Sequence, residues 1–281
     1  MTVPSLPSLM LEPLVRMALL EDLGRAGDLT TDAIVPAQAR AEAALVARQP
    51  GVVAGLDLAA LAFRLVDPAV TIRIERPDGT RLVPGDCLAT IEGPARGMLT
   101  AERVALNFLG HLSGVATATA TLVDAVQGHK ARICCTRKTM PGLRSVQKYA
   151  VRVGGGANQR LALYDGILIK ENHIAAAGGV GAAMDAALAL NAGVSIQIEV
   201  ETLAQLETAL AHRAQSILLD NFSFDAMRDA VRITAGRAVL EVSGGVNFET
   251  VRTIAETGVD RVSIGALTKA VRATDYSMRI V

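Results

Sequence analysis

From about residue 131 the chain alternates short apolar runs with longer stretches of helical periodicity. The runs are Ile133–Cys135, Ile167–Ile169, Ile196–Val200, Ile217–Leu219, Val239–Val242 and Val262–Ile264. Their length and β-branched content read as buried strands. Between them, Thr202 caps a helix with Leu203, Leu206 and Leu210 on one face. Ser223 caps the next, with Ala226, Met227, Ala230 and Val231 inward. Asn247 caps another, with Val251, Ile254 and Ala255 inward and Gly258 as its stop. Strands alternating with helices are parallel and joined by crossovers. Polar residues close nearly every run: Thr136-Arg137-Lys138, Lys170, Glu199 to Glu201, Asp220, Ser243-Gly244-Gly245 and Gly265. A doubly wound sheet concentrates its ligand at one crevice, whereas an α/β barrel draws on many strand ends. The expected fold is therefore α/β, with a barrel of about six parallel strands.

The first hundred residues read differently. Strand-like runs at Ala43–Ala47, Val70–Ile74 and Cys87–Ile91 are separated by the turn signals Pro77-Asp78-Gly79 and Pro84-Gly85-Asp86. This predicts a separate α+β domain. Thr100 is expected to begin a long helix, with Val104, Phe108, Leu112 and Val115 near one face. The N-terminus lacks a basic leader, and Glu12 and Arg16 interrupt its apolar residues. The longest membrane-like stretch, Ile174 to Leu190, is rich in Ala and Gly and carries Asp185. A soluble, cytoplasmic protein without a membrane partner is the expectation.

Composition narrows the chemistry. Hydrophobic residues make up 51% of the 281 residues, enough for a sizeable core. With 28 basic against 28 acidic side chains, five Phe, three Tyr and no Trp, the chain lacks the charge and the stacking surface of a nucleic-acid binder. Three cysteines, Cys87 and the pair Cys134 and Cys135, imply neither a disulfide framework nor a metal motif. Within this neutral chain, Arg132, Arg137, Lys138, Arg144, Lys148, Arg152, Arg160 and Lys170 crowd one segment against a single acid, Asp165. Such a local excess beside Gly-rich turns suits a small anion. Isolated acids follow at Glu199, Glu201, Asp220 and Glu241. Cations first and carboxylates second suggest an anionic substrate whose centre becomes positive.

Each constellation also has a plainer reading. Arg137 offers a planar fork and Lys138 a point charge for carboxylate or phosphate, although adjacent basic residues are commonly just a solvated loop. Residues 154–156, all Gly, precede Ala157, Asn158, Gln159 and Arg160 and form either a backbone nest or a helix stop. Lys170 is either an anion contact or a Schiff-base nucleophile, and the neighbouring His173 reads as a structural hydrogen-bonding group. Glu199 and Asp220 suit Mg²⁺, sugar hydroxyls or an oxocarbenium ion, or else a salt bridge to Lys170 or Arg137. Ser243-Gly244-Gly245 with Gly265 suits a phosphate grip, with Asn247 opening the following helix.

Taken together, EDLGRAGDLTTD from Glu21, TAERVALNFLGHLSG from Thr100, TRKTMPGLR from Thr136, KYAVRVGGG from Lys148, LYDGILIKENHI from Leu163, IEVET from Ile198, LLDN from Leu218, EVSGGVN from Glu241 and GVDRVSIGALT from Gly258 resemble the quinolinate phosphoribosyltransferases. These are also called carboxylating nicotinate-nucleotide pyrophosphorylases, and the resemblance spans nearly the whole chain. It implies an N-terminal α/β sandwich domain over residues 1–112, bearing dimer contacts. A barrel domain would span 113–281, with a C-terminal tail that returns to the first domain. It implies transfer of phosphoribosyl from phosphoribosyl pyrophosphate to quinolinate, with Mg²⁺, giving nicotinate mononucleotide, pyrophosphate and CO₂ for NAD biosynthesis.

By resemblance, Thr136, Arg137, Lys138, Gln159, Arg160 and Lys170 would contact the substrates, with Lys138, Lys170, Glu199 and Asp220 catalytic. Arg103 would reach the neighbouring subunit's site in a homodimer or a hexamer of dimers. Glu199 and Asp220 would contact the ribose and hold the metal through water and pyrophosphate. Ser243, Gly244, Gly245, Ile264, Gly265 and Ala266 would grip the 5′-phosphate. One departure stands out: the family usually has His-Arg where this chain has Gln159-Arg160, so one cation directed at the acid is lost. That leaves room for a molybdenum-transport-associated paralogue with another acid substrate. A Schiff-base barrel lyase using Lys170 and a non-catalytic binder of a phosphorylated metabolite are the other rivals.

Overall fold

The computed structural model describes residues 3–281, and the chain divides into two compact units. The first comprises the residues up to Ala120 together with Thr139–Gly155 and Leu267–Val281. The second comprises Thr121–Lys138 and Gly156–Ala266. In chain order the elements begin with α1 (Ser8–Leu23), α2 (Leu29–Ile34), β1 (Arg40–Ala47), β2 (Gly51–Val52), α3 (Leu56–Val66), β3 (Thr71–Ile74), β4 (Arg81–Leu82), β5 (Cys87–Pro94) and α4 (Ala95–Ala125). They continue with β6 (Arg132–Cys134), α5 (Arg144–Val153), β7 (Ile167–Ile169), α6 (Glu171–Ala177), α7 (Val180–Leu190), β8 (Ile196–Val200) and α8 (Leu203–Ala211). The last are β9 (Ser216–Asp220), α9 (Phe224–Thr234), β10 (Val239–Ser243), α10 (Phe248–Glu256), β11 (Arg261–Ser263), α11 (Ala266–Lys269) and β12 (Tyr276–Ile280).

In the first unit, a four-stranded antiparallel sheet runs in the order β12-β1-β5-β3. Burial along β1 alternates, with Ala43, Leu45 and Ala47 inward, as a half-buried strand requires. Helix α1 buries Leu11, Val15 and Leu19 at four-residue spacing. Its other face leaves Leu9, Met17 and Leu20 exposed. The long helix α4 starts at Ala95, earlier than the Thr100 expected from its apolar stripe. Burial of Ala95 and Met98 anchors that extra first turn directly after β5.

The second unit is a six-stranded parallel sheet in the order β6-β11-β10-β9-β8-β7. Its middle strands are buried on both faces, as at Ile217, Leu218 and Leu219 in β9. Thr202, Ser223 and Asn247 cap α8, α9 and α10 by accepting backbone N–H groups. The stretch Ile174 to Leu190 is two helices, α6 and α7, bent by 92°. The break falls at Gly178 and Gly179, with φ of 86° and 140°. No single helix among the described residues is long and apolar enough to cross a membrane.

Candidate active site

Strand alternation decides which side chains meet in the second unit. On β8, Gln197 and Glu199 share a face; on β9, Leu218 and Asp220 do; on β10, Glu241 and Ser243 do. The parallel register sets these strands side by side, pairing Glu199 with Leu218 and Ser243 with Asp220. At the C-terminal ends of the strands lies a cavity of about 390 Å³. Its lining comprises Thr136, Arg137, Lys138, Gln159, Arg160, Lys170, Glu199, Asp220 and Ser243, all anticipated from sequence. Leu168, Leu218 and Ser263 complete it, and sequence reading had not singled them out. Leu168 and Leu218 belong to apolar runs, so nothing but the pleat marks them as lining. Drawing on all six strands, the cavity answers the choice between barrel and single crevice in favour of the barrel.

The basic wall is built by a short detour of the chain. Gly154 caps the C-terminus of α5, and a Cβ there would run into the Ala116 carbonyl. The Gly-rich turn is thus a helix stop, the plainer of its two readings. Ala157 then bridges to Cys134 in parallel, with the Cys135 N–H donating to Ala157 O at 3.1 Å and the Ala157 N–H to Ile133 O at 2.8 Å. This pairing brings Gln159 and Arg160 into the same cavity as Arg137 and Lys138. Arg160 Nη1 donates to Gly166 O at 3.0 Å, and Asp165 accepts the N–H groups of Leu161 and Ala162, closing the loop. Burial, with help from the Arg137 charge, lowers the Arg160 pKa from its ordinary value. The buried Arg137 Nε has no hydrogen-bond partner among the described residues, so part of its fork is uncommitted.

On the acidic wall, Lys170 Nζ lies 3.0 Å from Glu199 Oε2. The salt bridge weighed for Glu199 is therefore present, within a cavity that also holds Asp220. Burial raises the Asp220 pKa, and the Glu199 charge raises it further. The His173 ring Nδ1 accepts the Lys170 N–H at 2.9 Å, so that histidine is structural and fixes the backbone from which Lys170 projects. Asn221 Nδ2 donates to Asp220 Oδ2 at 2.9 Å, and its backbone N–H donates to Ser243 O at 3.1 Å.

The remaining anticipated residues lie outside the lining. Gly244 has φ of 94°, and a Cβ there would collide with the Asn221 amide, so only glycine fits. Gly245 has φ of 60°. Gly265 lies close beneath the basic wall: a Cβ would come within 2.9 Å of Lys138 Cδ. Ile264 is buried, and Ala266 opens the short helix α11. Arg103 stands exposed on α4 in the first unit. A second cavity of about 220 Å³, wholly in the first unit, is lined by Glu21, Asp22, Asn107, His111 and apolar neighbours. Having two acids and no lysine or arginine, it is ill suited to a polyanion.

Comparison with known proteins adds an independent line. Residues 28–113 match the family model described as "Quinolinate phosphoribosyl transferase, N-terminal domain", and residues 115–279 match its C-terminal counterpart. A relative from Mycobacterium leprae, named nicotinate-nucleotide pyrophosphorylase [carboxylating], is 47% identical over 271 residues, covering 94% of this chain and 95% of its own. A Bacillus subtilis relative, named as probably the same enzyme, is 41% identical over 97% of this chain and 94% of its own. The solved nicotinate-nucleotide pyrophosphorylase of Francisella tularensis superposes with a TM-score of 0.95 at 37% identity, covering 100% of this chain and 99% of that one. With both domains matched in order and the fold shared over its full length, the chain belongs to the quinolinate phosphoribosyltransferase family.

Proposed function

We propose that the protein transfers the phosphoribosyl group of phosphoribosyl pyrophosphate to quinolinate with loss of CO₂, yielding nicotinate mononucleotide and pyrophosphate. The observation that carries this reading is a single cavity joining four cations, Arg137, Lys138, Arg160 and Lys170, to two carboxylates, Glu199 and Asp220. The cations suit two polyanionic substrates that would otherwise repel each other. The carboxylates oppose a naked anion but favour an anomeric carbon that becomes positive.

In the reaction, the quinolinate ring nitrogen forms a bond to the anomeric carbon while that carbon's bond to pyrophosphate breaks. The ring nitrogen becomes a pyridinium. The bond to the adjacent carboxylate then breaks, CO₂ leaves, and the electron pair left on the ring carbon takes up a proton. The pyridinium charge stabilises that pair. Glu199 and Asp220 offset the positive charge on the ribose in the first step. The basic wall orients the acid so that its nitrogen faces the sugar. Ser243 and the backbone at Gly244 and Gly245 are assigned to the 5′-phosphate.

Mg²⁺ fits this set. No group of three or more His, Cys, Asp or Glu suited to a metal occurs among the described residues. Mg²⁺, however, commonly binds through one or two carboxylates plus substrate phosphates and water. Glu199 and Asp220 would hold it, and it would neutralise charge on the departing pyrophosphate. A Schiff-base role for Lys170 is disfavoured because its ammonium is paired with Glu199 and half exposed, without the apolar enclosure such a lysine needs.

A cytoplasmic homodimer completes the reading. Exposed Leu9, Met17 and Leu20 on α1, with Leu29 and Ile34 on α2, offer an apolar face for a second copy. Arg103 is assigned to the partner's cavity. Mixing Arg103→Ala and Asp220→Asn chains should restore activity that neither has alone; no restoration overturns the shared site. The reaction itself is tested with carboxyl-labelled quinolinate, phosphoribosyl pyrophosphate and Mg²⁺. The expected result is labelled CO₂ and nicotinate mononucleotide in equal amounts. Nucleotide without CO₂, or neither, overturns the proposal.

A further inference from the structure

One layer beneath the cavity, the structure holds an acid that the reaction as described does not use. Glu241 sits at the centre of β10 with 0% of its surface exposed. Ser243 lies two residues on, on the same face, and lines the cavity. Three donors from three other parts of the chain converge on the Glu241 carboxylate. Ser263 Oγ, at the end of β11, and Gln159 Nε2 both donate to Oε1. Gln197 Nε2, on β8, donates to Oε2 at 3.0 Å and also to Ser216 Oγ at 3.1 Å. Burying a carboxylate is costly unless its lone pairs are matched, and here hydroxyl and amide donors match them. Of the three donors, Gln159 and Ser263 also line the cavity.

We propose that Glu241 is a positioning residue for the acid substrate, acting through Gln159. An amide has a donor end and an acceptor end, and nothing in its shape distinguishes them. A carboxylate that accepts from Gln159 can face only the nitrogen end. Glu241 therefore fixes the polarity that Gln159 shows to the cavity, and the Ser263 and Gln197 bonds fix Glu241 in turn. The NH₂ group carries two hydrogens, so with one held by Glu241 the second is the donor that Gln159 directs at a substrate carboxylate. A flipped amide would set its carbonyl oxygen against the Glu241 carboxylate and lose that anchor. Gln159 cannot supply charge, so the orientation of its dipole is its whole contribution. The inference deepens the proposed function and rests on quinolinate being the acid.

The test is a double-mutant cycle read in steady-state kinetics at saturating phosphoribosyl pyrophosphate. Glu241→Met keeps the approximate volume but removes both acceptor oxygens, so the Gln159 amide is no longer held by its nitrogen end. The expected result is a rise of about 10-fold in the quinolinate KM, the size of one hydrogen bond to a charged group, with kcat and the phosphoribosyl pyrophosphate KM within about two-fold. In a Gln159→Ala background the same change should move the quinolinate KM by less than about two-fold. A merely structural role would lower the melting temperature and act equally in both backgrounds, and that result overturns the proposal, as does an unchanged KM in the single variant. Should Glu241→Met not fold, Gln197→Met loosens the carboxylate from a position outside the cavity. It should raise the quinolinate KM about two- to five-fold, again only when Gln159 is present. Wild-type protein measured in parallel separates the two claims. Failure of wild type to use quinolinate overturns the function together with this inference, whereas normal turnover without the coupling overturns the inference alone.

Discussion

Replacing Glu199 with Gln separates stability from catalysis. Glu199 Oε2 lies 3.0 Å from Lys170 Nζ, and the two side chains are 14% and 49% exposed. Coulomb's law at that separation gives roughly 5 kcal/mol at an effective dielectric of about 20, and roughly 1.4 kcal/mol in bulk water. Hydration of the half-exposed ammonium and the ordering of a long side chain bring the pair's net contribution to stability down to about 1 kcal/mol or less. Glu199→Gln should therefore lower the melting temperature by no more than about 2–4 °C. Its effect on the transition state is larger. A carboxylate about 5 Å from a carbon gaining half to a full positive charge contributes roughly 1.5–3 kcal/mol at the same dielectric. That corresponds to a fall in kcat of roughly 10- to 200-fold. The Lys170 ammonium, no longer paired, adds to the penalty. The KM for phosphoribosyl pyrophosphate should change by less than about three-fold, since the lost charge acts mainly as the leaving group departs. Initial rates of nicotinate mononucleotide formation at saturating quinolinate, with melting curves alongside, give both quantities. A kcat within about two-fold of wild type would refute the electrostatic role, and a melting temperature lowered by more than about 10 °C would show that the pair is structural.

Three further outcomes follow from the same geometry. The folded-state pKa of Asp220 is raised above 3.8 by burial and by Glu199, so the group favours the folded state below that value and loses this contribution as pH rises through the raised pKa. Asp220→Asn should thus melt higher than wild type near neutral pH, with the gain shrinking as pH falls toward about 4, while kcat drops about 100-fold or more; a lower melting temperature at neutral pH contradicts it. Gly265→Ala places a Cβ 2.9 Å from Lys138 Cδ, and that side chain can swing aside. Melting should shift by only a few degrees while kcat/KM falls about 10-fold, which kinetics and calorimetry together check. Gln159→His sets an imidazole against the buried Glu241, whose charge favours the imidazolium. The quinolinate KM should fall about three- to ten-fold below neutral pH, with the advantage lost as pH rises and the ring deprotonates; an unchanged KM at every pH contradicts it.

Much of this was legible in the sequence because parallel strands are buried on both faces and announce themselves as apolar runs. Ile167–Ile169 and Ile196–Val200 are strands over the residues expected, and the other runs differ only at their ends. The caps at Thr202, Ser223 and Asn247 were readable because a side-chain acceptor just before an amphipathic stretch has few other uses. Nine anticipated polar residues converge on one cavity because most of them close a strand, and strand ends in a barrel share one mouth. What stayed hidden depends on long-range pairing. The bridge from Cys134 to Ala157 brings Gln159 and Arg160 into the cavity, and no local pattern marks it. Glu241 was visible as an acid at an apolar run, but its three donors come from Gln159, Gln197 and Ser263, far apart in the chain. The early start of α4 reflects burial of Ala95 and Met98, where propensity alone leaves the boundary open.

The most direct test of the central claim is a parallel assay of two acids. Purified protein with Mg²⁺ and phosphoribosyl pyrophosphate is given quinolinate in one reaction and nicotinate in the other, and nicotinate mononucleotide is measured in both. Product is expected from quinolinate and essentially none from nicotinate, because four cations in one cavity match a dicarboxylate better than a monocarboxylate. Equal product from both acids, or none from quinolinate while phosphoribosyl pyrophosphate still binds, would contradict it.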